Sequence, residues 1–181
     1  MTSTRKIDKC RICGSTDLVC VLDLGEQALT GVFPRSRDQD VTVGPVRLVK
    51  CDAQTGCGLL QLEHTYDLAE MYGDNYGYRS GLNASMVRHL EAKVQRIVGL
   101  VSLQPGDLVL DIGSNDATTL RAYPQELGLR RVGMDPSAGK FRDYYPEDVT
   151  LIEDFFSGQS LRERFPDAKP RVVTSFAMFS E

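Results

Sequence analysis

The 181-residue sequence has no apolar run of membrane-spanning length, and its opening, Met1-Thr2-Ser3-Thr4-Arg5-Lys6-Ile7-Asp8, contains no apolar core such as a secretion leader needs. It has no excess of positive charge either. Lys and Arg number 21 against 25 Asp and Glu, a net charge of −4, and no stretch interleaves basic with aromatic residues. That balance disfavours nucleic acid and anionic membranes as partners. Histidine occurs only twice, and neither internal repeats nor low-complexity segments are present. These exclusions leave a globular chain, expected in the cytoplasm, with no nucleic acid and no membrane among its partners.

What the chain does have is cysteine in a pattern. Five cysteines, an odd count, suit thiolate ligation in a reducing compartment better than disulfides. Cys10 and Cys13 flank Arg11-Ile12, and Cys51 and Cys57 bracket Asp52-Ala53-Gln54-Thr55-Gly56. Two thiolates from one tight turn and two from a distant hairpin complete the tetrahedral sulfur shell that zinc favours in structural sites. Gly14 and Gly58, each directly after a ligand, supply the positive φ that such knuckles often need. The second spacing, five residues, exceeds the usual two to four. Buried structural cysteines, a redox pair and an iron site with the same ligands are the competing readings. Cys20, in Leu18-Val19-Cys20-Val21-Leu22, is expected as a small buried hydrophobe.

The pattern divides the chain into a small β-rich zinc-binding module at 1–68, a Tyr/Gly segment with a connector helix at 69–104, and an α/β region at 105–181. The first is too small to hold a secure core unaided, so a metal staple is expected to act on folding and not on chemistry. In the connector, Met86, Leu90, Val94, Ile97 and Val101 recur at helical spacing, with Ser80 or Asn83 as the cap. Beyond Gln104-Pro105-Gly106-Asp107, strands at Leu108–Ile112, Arg131–Met134, Val149–Ile152 and Arg171–Phe176 alternate with helices near Asn115–Tyr123, Ala138–Tyr144 and Gln159–Phe165. Such alternation implies right-handed crossovers and a parallel sheet with helices on its faces. A doubly wound sheet continues past four strands, so the expectation is a fragment of a longer domain.

Chemistry gathers where those strands end. Leu110-Asp111-Ile112-Gly113-Ser114-Asn115-Asp116 is an apolar strand running into an acid, a glycine and small polar residues, at the sheet edge where ligands of this fold class bind. The second strand ends in Asp135, an acceptor for ribose hydroxyls; the third ends in Glu153-Asp154-Phe155-Phe156, a carboxylate for an amino group and an aromatic face for a ring. A nicotinamide dinucleotide fits poorly, because its fingerprint needs three glycines and Asp116 would repel its pyrophosphate. S-adenosylmethionine carries a sulfonium cation and no phosphate, and an acidic turn is compatible with it. Arg79 and Ser80 are placed to meet its methionine carboxylate. The plainer reading of each residue also stands: Asp111 orienting a loop, Asp135 capping the next helix, Arg79 and Ser80 capping and solvating a surface.

Cys10-Arg11-Ile12-Cys13-Gly14, Leu22-Asp23-Leu24-Gly25-Glu26-Gln27, Cys57-Gly58-Leu59-Leu60-Gln61-Leu62, Tyr72-Gly73-Asp74-Asn75-Tyr76-Gly77-Tyr78-Arg79-Ser80-Gly81 and Leu110-Asp111-Ile112-Gly113-Ser114-Asn115-Asp116 occur in that order. This string resembles the nucleotide-sugar C-methyltransferases of deoxysugar biosynthesis, notably those acting at C3 of dTDP-4-keto-6-deoxyhexoses for antibiotic sugars. The resemblance implies an α/β fold: a partial class I (Rossmann-like) methyltransferase sheet preceded by a small β-rich zinc-binding module. It implies S-adenosyl-L-methionine and zinc as cofactors, a dTDP-linked keto-deoxysugar as substrate, and a monomer. By the same resemblance Cys10, Cys13, Cys51 and Cys57 hold the metal. Tyr78, Arg79, Asp111, Gly113, Asn115, Asp135, Asp154 and Phe155 bind the methyl donor, and Tyr76 is the catalytic residue carried over. The family's Glu-His pair falls beyond Glu181, and Ala117 stands where the family often has glycine. Packing of an interdomain loop is the ordinary alternative for Tyr72, Tyr76 and Tyr78. Two functional alternatives remain: a zinc-ribbon interaction module joined to a non-catalytic α/β domain, and an O- or N-methyltransferase on the same scaffold.

Overall fold

The computed structural model describes residues 4–28, 34, 36–67, 71–72, 76–167, 169–176 and 178. Gly73-Asp74-Asn75 of the Tyr/Gly segment lie outside these. The chain divides into two compact units, Met1–Gly77 and Tyr78–Glu181.

The first unit is built on β1 (Arg5–Lys6), β2 (Leu18–Ala28), β3 (Val43–Cys51), β4 (Leu60–Leu62) and β5 (His64–Thr65). β2, β3 and β4 form an antiparallel sheet in that order, and β1 pairs antiparallel with β5. β2 opens by pairing Leu18 with Cys51 and closes by pairing Ala28 with Val43, with irregularities between Cys20 and Leu22 and between Asp23 and Glu26. Gly25 sits in the second at φ +65°, a conformation that glycine adopts without the steric cost of a Cβ. Among the described residues, the apolar side chains this unit buries are Cys10, Val49 and Cys51. So small a core supplies little hydrophobic stabilisation, which gives the cysteine cluster a folding role. Glu63, also buried, is offset by Lys6 at 3.3 Å and Arg47 at 3.4 Å.

Cys20 departs from expectation. It is exposed on β2, and its Sγ accepts from Nε of Arg47 at 3.2 Å. The apolar run around it reads as half-buried, yet Val19, Val21, Leu22 and Leu24 are all about half exposed. The β-branched sequence fixes the strand but not a cover for it.

In the second unit, helix α1 (Ala84–Leu100) carries the periodic stripe and buries Leu90 and Val94. Asn83 caps it, Oδ1 accepting from the N–H of Ser85 at 2.9 Å. Four parallel strands follow: β6 (Leu108–Ile112), β7 (Arg130–Met134), β8 (Val149–Ile152) and β9 (Val172–Ser175), in the order β8-β7-β6-β9. All five residues of β6 are buried, as expected for a strand covered on both faces. Leu108, Leu110 and Ile112 pack on one side with Val132, Met134, Ile152 and Leu161. Val109 packs on the other with Val94, Leu120 and Tyr123.

The helices between these strands are shorter than the periodicity suggests. The expected helix near Asn115–Tyr123 reduces to α2 (Thr118–Arg121), because Asn115 and Ala117 take positive φ values of 50° and 60°. Ala138–Tyr144 is a 3-10 helix, and α3 spans Gly158–Arg164. No helix among the described residues is long and apolar enough to cross a membrane.

Candidate functional site

Two sites emerge, one in each unit. In the first unit, Cys10, Cys13, Cys51 and Cys57 bring their sulfurs within 4.8 Å of one another. Cys10 and Cys57 are 3.6 Å apart, as are Cys13 and Cys51. Four sulfurs bound about 2.3 Å from a central ion stand about 3.8 Å from one another, so the donor set fits tetrahedral zinc. The long second spacing does no harm. Asp52 accepts through Oδ1 from the N–H of Gln54 at 2.7 Å, turning the chain back, and Gly56 lies where any Cβ would collide with Sγ of Cys51. Gly14 and Gly58 have φ of +76° and +75°.

The electrostatics of the cluster call for a cation. Backbone N–H groups of Cys13 and Ile12 draw the Cys10 thiol down to about 6. Those of Ser15 and Cys57 lower Cys13. The Leu59 amide favours the Cys57 thiolate too, but burial and the neighbouring sulfurs of Cys10 and Cys13 outweigh it and hold Cys57 up at about 11. Lowered thiols at Cys10 and Cys13 beside a raised one at Cys57 are the split that like charges at close quarters produce, and a central cation relieves it. His64 takes no part; its Nδ1 lies 4.0 Å from Glu63.

The second site is the carboxyl edge of the parallel sheet. Ile112, Met134 and Ile152 are in register, so β6, β7 and β8 end together. Their ends are stitched by backbone bonds, Gly113 N–H to the Met134 carbonyl at 2.8 Å and Asp135 N–H to the Ile152 carbonyl at 3.1 Å. Gly113, Asp135 and Asp154 therefore share one edge. β6 lies between β7 and β9, so the sheet's order reverses beside it, the position at which ligands bind in open α/β sheets. Gly113, at φ +72°, is packed against the side chain of Met178, which a Cβ there would run into.

The candidate ligand residues are not equally available. Asp154 and Phe155 are exposed. Asp154 accepts from the N–H of Phe155 at 2.8 Å and from the Ser160 hydroxyl at 3.4 Å. Asp135 is buried, accepting from the N–H and hydroxyl of Ser137, each at 2.7 Å, and from the N–H of Asn115 at 2.8 Å. Of about four acceptor positions on a carboxylate, three are thus filled by the chain. Asp111 is more enclosed still. Only 2% exposed, it accepts from the Thr174 hydroxyl at 2.6 Å, and burial pushes its carboxyl up to about 6. Arg79 stacks over the ring of Tyr144 at 4.2 Å with its Nε 3.9 Å from Asp116. The carbonyl of Tyr78 accepts from Nδ2 of Asn115 at 3.0 Å. Tyr76, in the first unit, lies half-buried with its ring 5.5 Å from that of Tyr72.

Ser137 and Tyr145 also shape this edge and were missed from sequence. Asp135-Pro136-Ser137 is a legible side-chain-to-backbone turn. Nothing in sequence marks Tyr145, whose hydroxyl lies 2.8 Å from that of Ser114.

Residues 10–72 match the family model of a methyltransferase-associated zinc binding domain. The chain is also similar to C-methyltransferase NovU of Streptomyces niveus, 33% identical over 135 residues, which is 74% of this chain and 31% of that protein. The chain thus spans about a third of the length of this relative. The matched stretch is longer than either compact unit, so it draws on both the cysteine cluster's unit and the parallel sheet. The four-thiol geometry agrees with the zinc-binding description of that family model, and the longer similarity is to a C-methyltransferase.

Proposed function

We propose that the parallel sheet of the second unit is of the class I (Rossmann-like) methyltransferase kind, and that its carboxyl edge binds S-adenosylmethionine. The reading extends to transfer of a methyl group to C3 of a nucleotide-activated, dTDP-linked 4-keto-deoxysugar in antibiotic deoxysugar biosynthesis, by a monomer working in the cytoplasm. The observation that carries it is the common register of Ile112, Met134 and Ile152, which gathers Gly113, Asp135 and Asp154 along one edge beside the switch point. The similarity to a C-methyltransferase supports the reaction class.

The residues present suit the donor. Gly113 allows close approach of a ligand to the backbone once the Met178 side chain gives way, Asp135 keeps an acceptor position for a ribose hydroxyl, and Asp154 with Phe155 offers a carboxylate and a ring face for adenine. Arg79 supplies a cation for a carboxylate. Bound S-adenosylmethionine supplies an electrophilic methyl group on a sulfonium. A ketone at C4 acidifies the C3 proton, and the phenol of Tyr76 donates a hydrogen bond to the enolate oxygen that forms as a base removes it. The zinc site holds the first unit folded and takes no part in transfer.

Isothermal titration of the zinc-loaded chain with S-adenosylhomocysteine tests the reading. Binding should be saturable, and Asp154→Ala and Phe155→Ala should each weaken it about tenfold without moving the melting temperature, since both side chains are exposed. A folded chain that takes up no ligand contradicts the proposal. A second reading, an interaction module, is favoured by the exposed apolar residues of β2 and by Leu60 and Leu62 on β4. It gains ground only if the titration is blank.

A further inference from the structure

Each of the four polar atoms of Asn115 is engaged within the second unit. Its N–H donates to Oδ2 of Asp135 at 2.8 Å, and its carbonyl accepts from the Tyr145 hydroxyl at 2.9 Å. Its Oδ1 accepts from the N–H of Ser80 at 2.9 Å, and its Nδ2 donates to the carbonyl of Tyr78 at 3.0 Å. The residue is buried and sits at φ +50°, a left-handed conformation that asparagine tolerates better than most side chains. Asp116 extends the pattern by one residue. Its Oδ2 accepts from the N–H of Gly81 at 2.9 Å, while its Oδ1 accepts from the N–H and hydroxyl of Thr118 and so anchors the start of α2. Neither contact resembles a ligand site left open; both spend side-chain polarity on the backbone of residues 78–81.

We propose that Asn115 is a positioning residue and not itself a ligand of the methyl donor. It clasps the strap at residues 78–81 to the loop that follows β6, with Asp116 as a second fastening. The burial of both side chains makes the clasp costly to open, because an unmade hydrogen bond there leaves a desolvated amide or carboxylate behind. Two bonds from Asn115 and one from Asp116 to the strap also make the two segments move together. Gly113 stands two residues before Asn115, and Arg79 lies within the strap, so a molecule that orders the loop orders the strap as well. By reciprocity, loosening the strap weakens the molecule's binding. This part of the inference rests on the reading that the carboxyl edge takes S-adenosylmethionine. The acidic turn that tells against a pyrophosphate then has a positive role, as the fastening for a neighbouring segment.

Amide hydrogen exchange at Ser80 and Gly81 in the full, zinc-loaded chain, with and without S-adenosylhomocysteine, tests the proposal against Asn115→Gly. Glycine keeps the left-handed backbone and deletes both side-chain bonds. The expected result is exchange at Ser80 at least tenfold faster, unchanged exchange across Leu108–Ile112, and affinity for S-adenosylhomocysteine reduced about tenfold. Equal exchange at Ser80 in the two proteins overturns the clasp. Faster exchange with undiminished affinity overturns its coupling to the ligand. If the unaltered chain binds no S-adenosylhomocysteine, that reading fails by itself and the exchange comparison still decides the clasp. Should Asn115→Gly not fold, Gly81→Ala tests the same clasp from the strap side, because its Cβ would stand 2.5 Å from Oδ2 of Asp116. Faster exchange at Ser80 supports the clasp there too, and an unchanged rate contradicts it.

Discussion

The hydroxyl of Thr174 donates to Oδ1 of Asp111 at 2.6 Å across the paired strands β6 and β9, and this bond holds a carboxyl that burial has made hard to ionise. Burial is the largest influence and raises the group; the hydrogen bonds from Thr174 and Thr119 lower it, and the charge on Asp135 raises it further, leaving it at about 6 against an ordinary 3.8. A carboxyl whose folded value is raised favours the fold fully only below its unfolded value. That stability is lost as pH climbs through the folded value. Between pH 4 and pH 6 the loss is on the order of 3 kcal/mol. Asp111→Asn keeps an acceptor for Thr174 and cannot ionise. Urea unfolding of the two proteins should therefore diverge steadily from pH 4 to pH 6, with the asparagine variant the more stable at neutral pH. Parallel profiles would show that Asp111 is not desolvated.

The zinc cluster makes a prediction by thiol count. With the metal bound, four of the five cysteines are ligands, and Cys20 is exposed beside Arg47. A thiol reagent should react quickly with one group per chain, and with five after chelation. Chelation should also abolish protected amides in β2–β4 while leaving those of β6–β9, since the first unit buries few apolar side chains besides its ligands. Five fast thiols in the zinc-loaded chain would mean that the cluster does not bind the metal.

Ala117 occupies a left-handed conformation at φ +60° while being fully enclosed. Glycine there relieves roughly 1 kcal/mol of backbone strain and forfeits the burial of one methyl group, worth about as much. Ala117→Gly should thus shift stability by less than about 1 kcal/mol. Ala117→Val adds a β-branched side chain where neither backbone nor packing admits one, and should cost 2 kcal/mol or roughly more. Denaturant melts that rank the three otherwise would contradict the backbone geometry at this turn.

Most of the second unit was legible because its code is local. Leu108–Ile112 is apolar save for Asp111 and flanked by turn residues, so its strand and the double burial of its apolar residues follow from composition. The α1 stripe and its Asn83 cap are equally direct. The helix expected near Asn115–Tyr123 shrank because hydrophobic spacing does not report the two positive-φ residues at its start. Within the site, the sequence marked which residues lie near the strand ends but not what they touch. Asn115 reads as a ligand residue, and nothing in the sequence signals the bonds that it and Asp116 make to residues 78–81, some thirty-five positions away. Tyr145, donating to the Asn115 carbonyl, has no signature other than being a tyrosine. In the first unit, the cysteine spacing picked out the four thiols that cluster, whereas Cys20 misled because an apolar neighbourhood in sequence is not a buried one in space.

The most direct test of the central claim, a methyl-donor pocket at the carboxyl edge of β6–β8, is a residue-resolved amide titration of the zinc-loaded chain with S-adenosylhomocysteine. The account predicts saturable shifts concentrated at Gly113, Asp135, Asp154 and Phe155, with Arg79 and Ser80 following at the same ligand concentration. Shifts confined to the cysteine unit, or none at all in a folded sample, would contradict it.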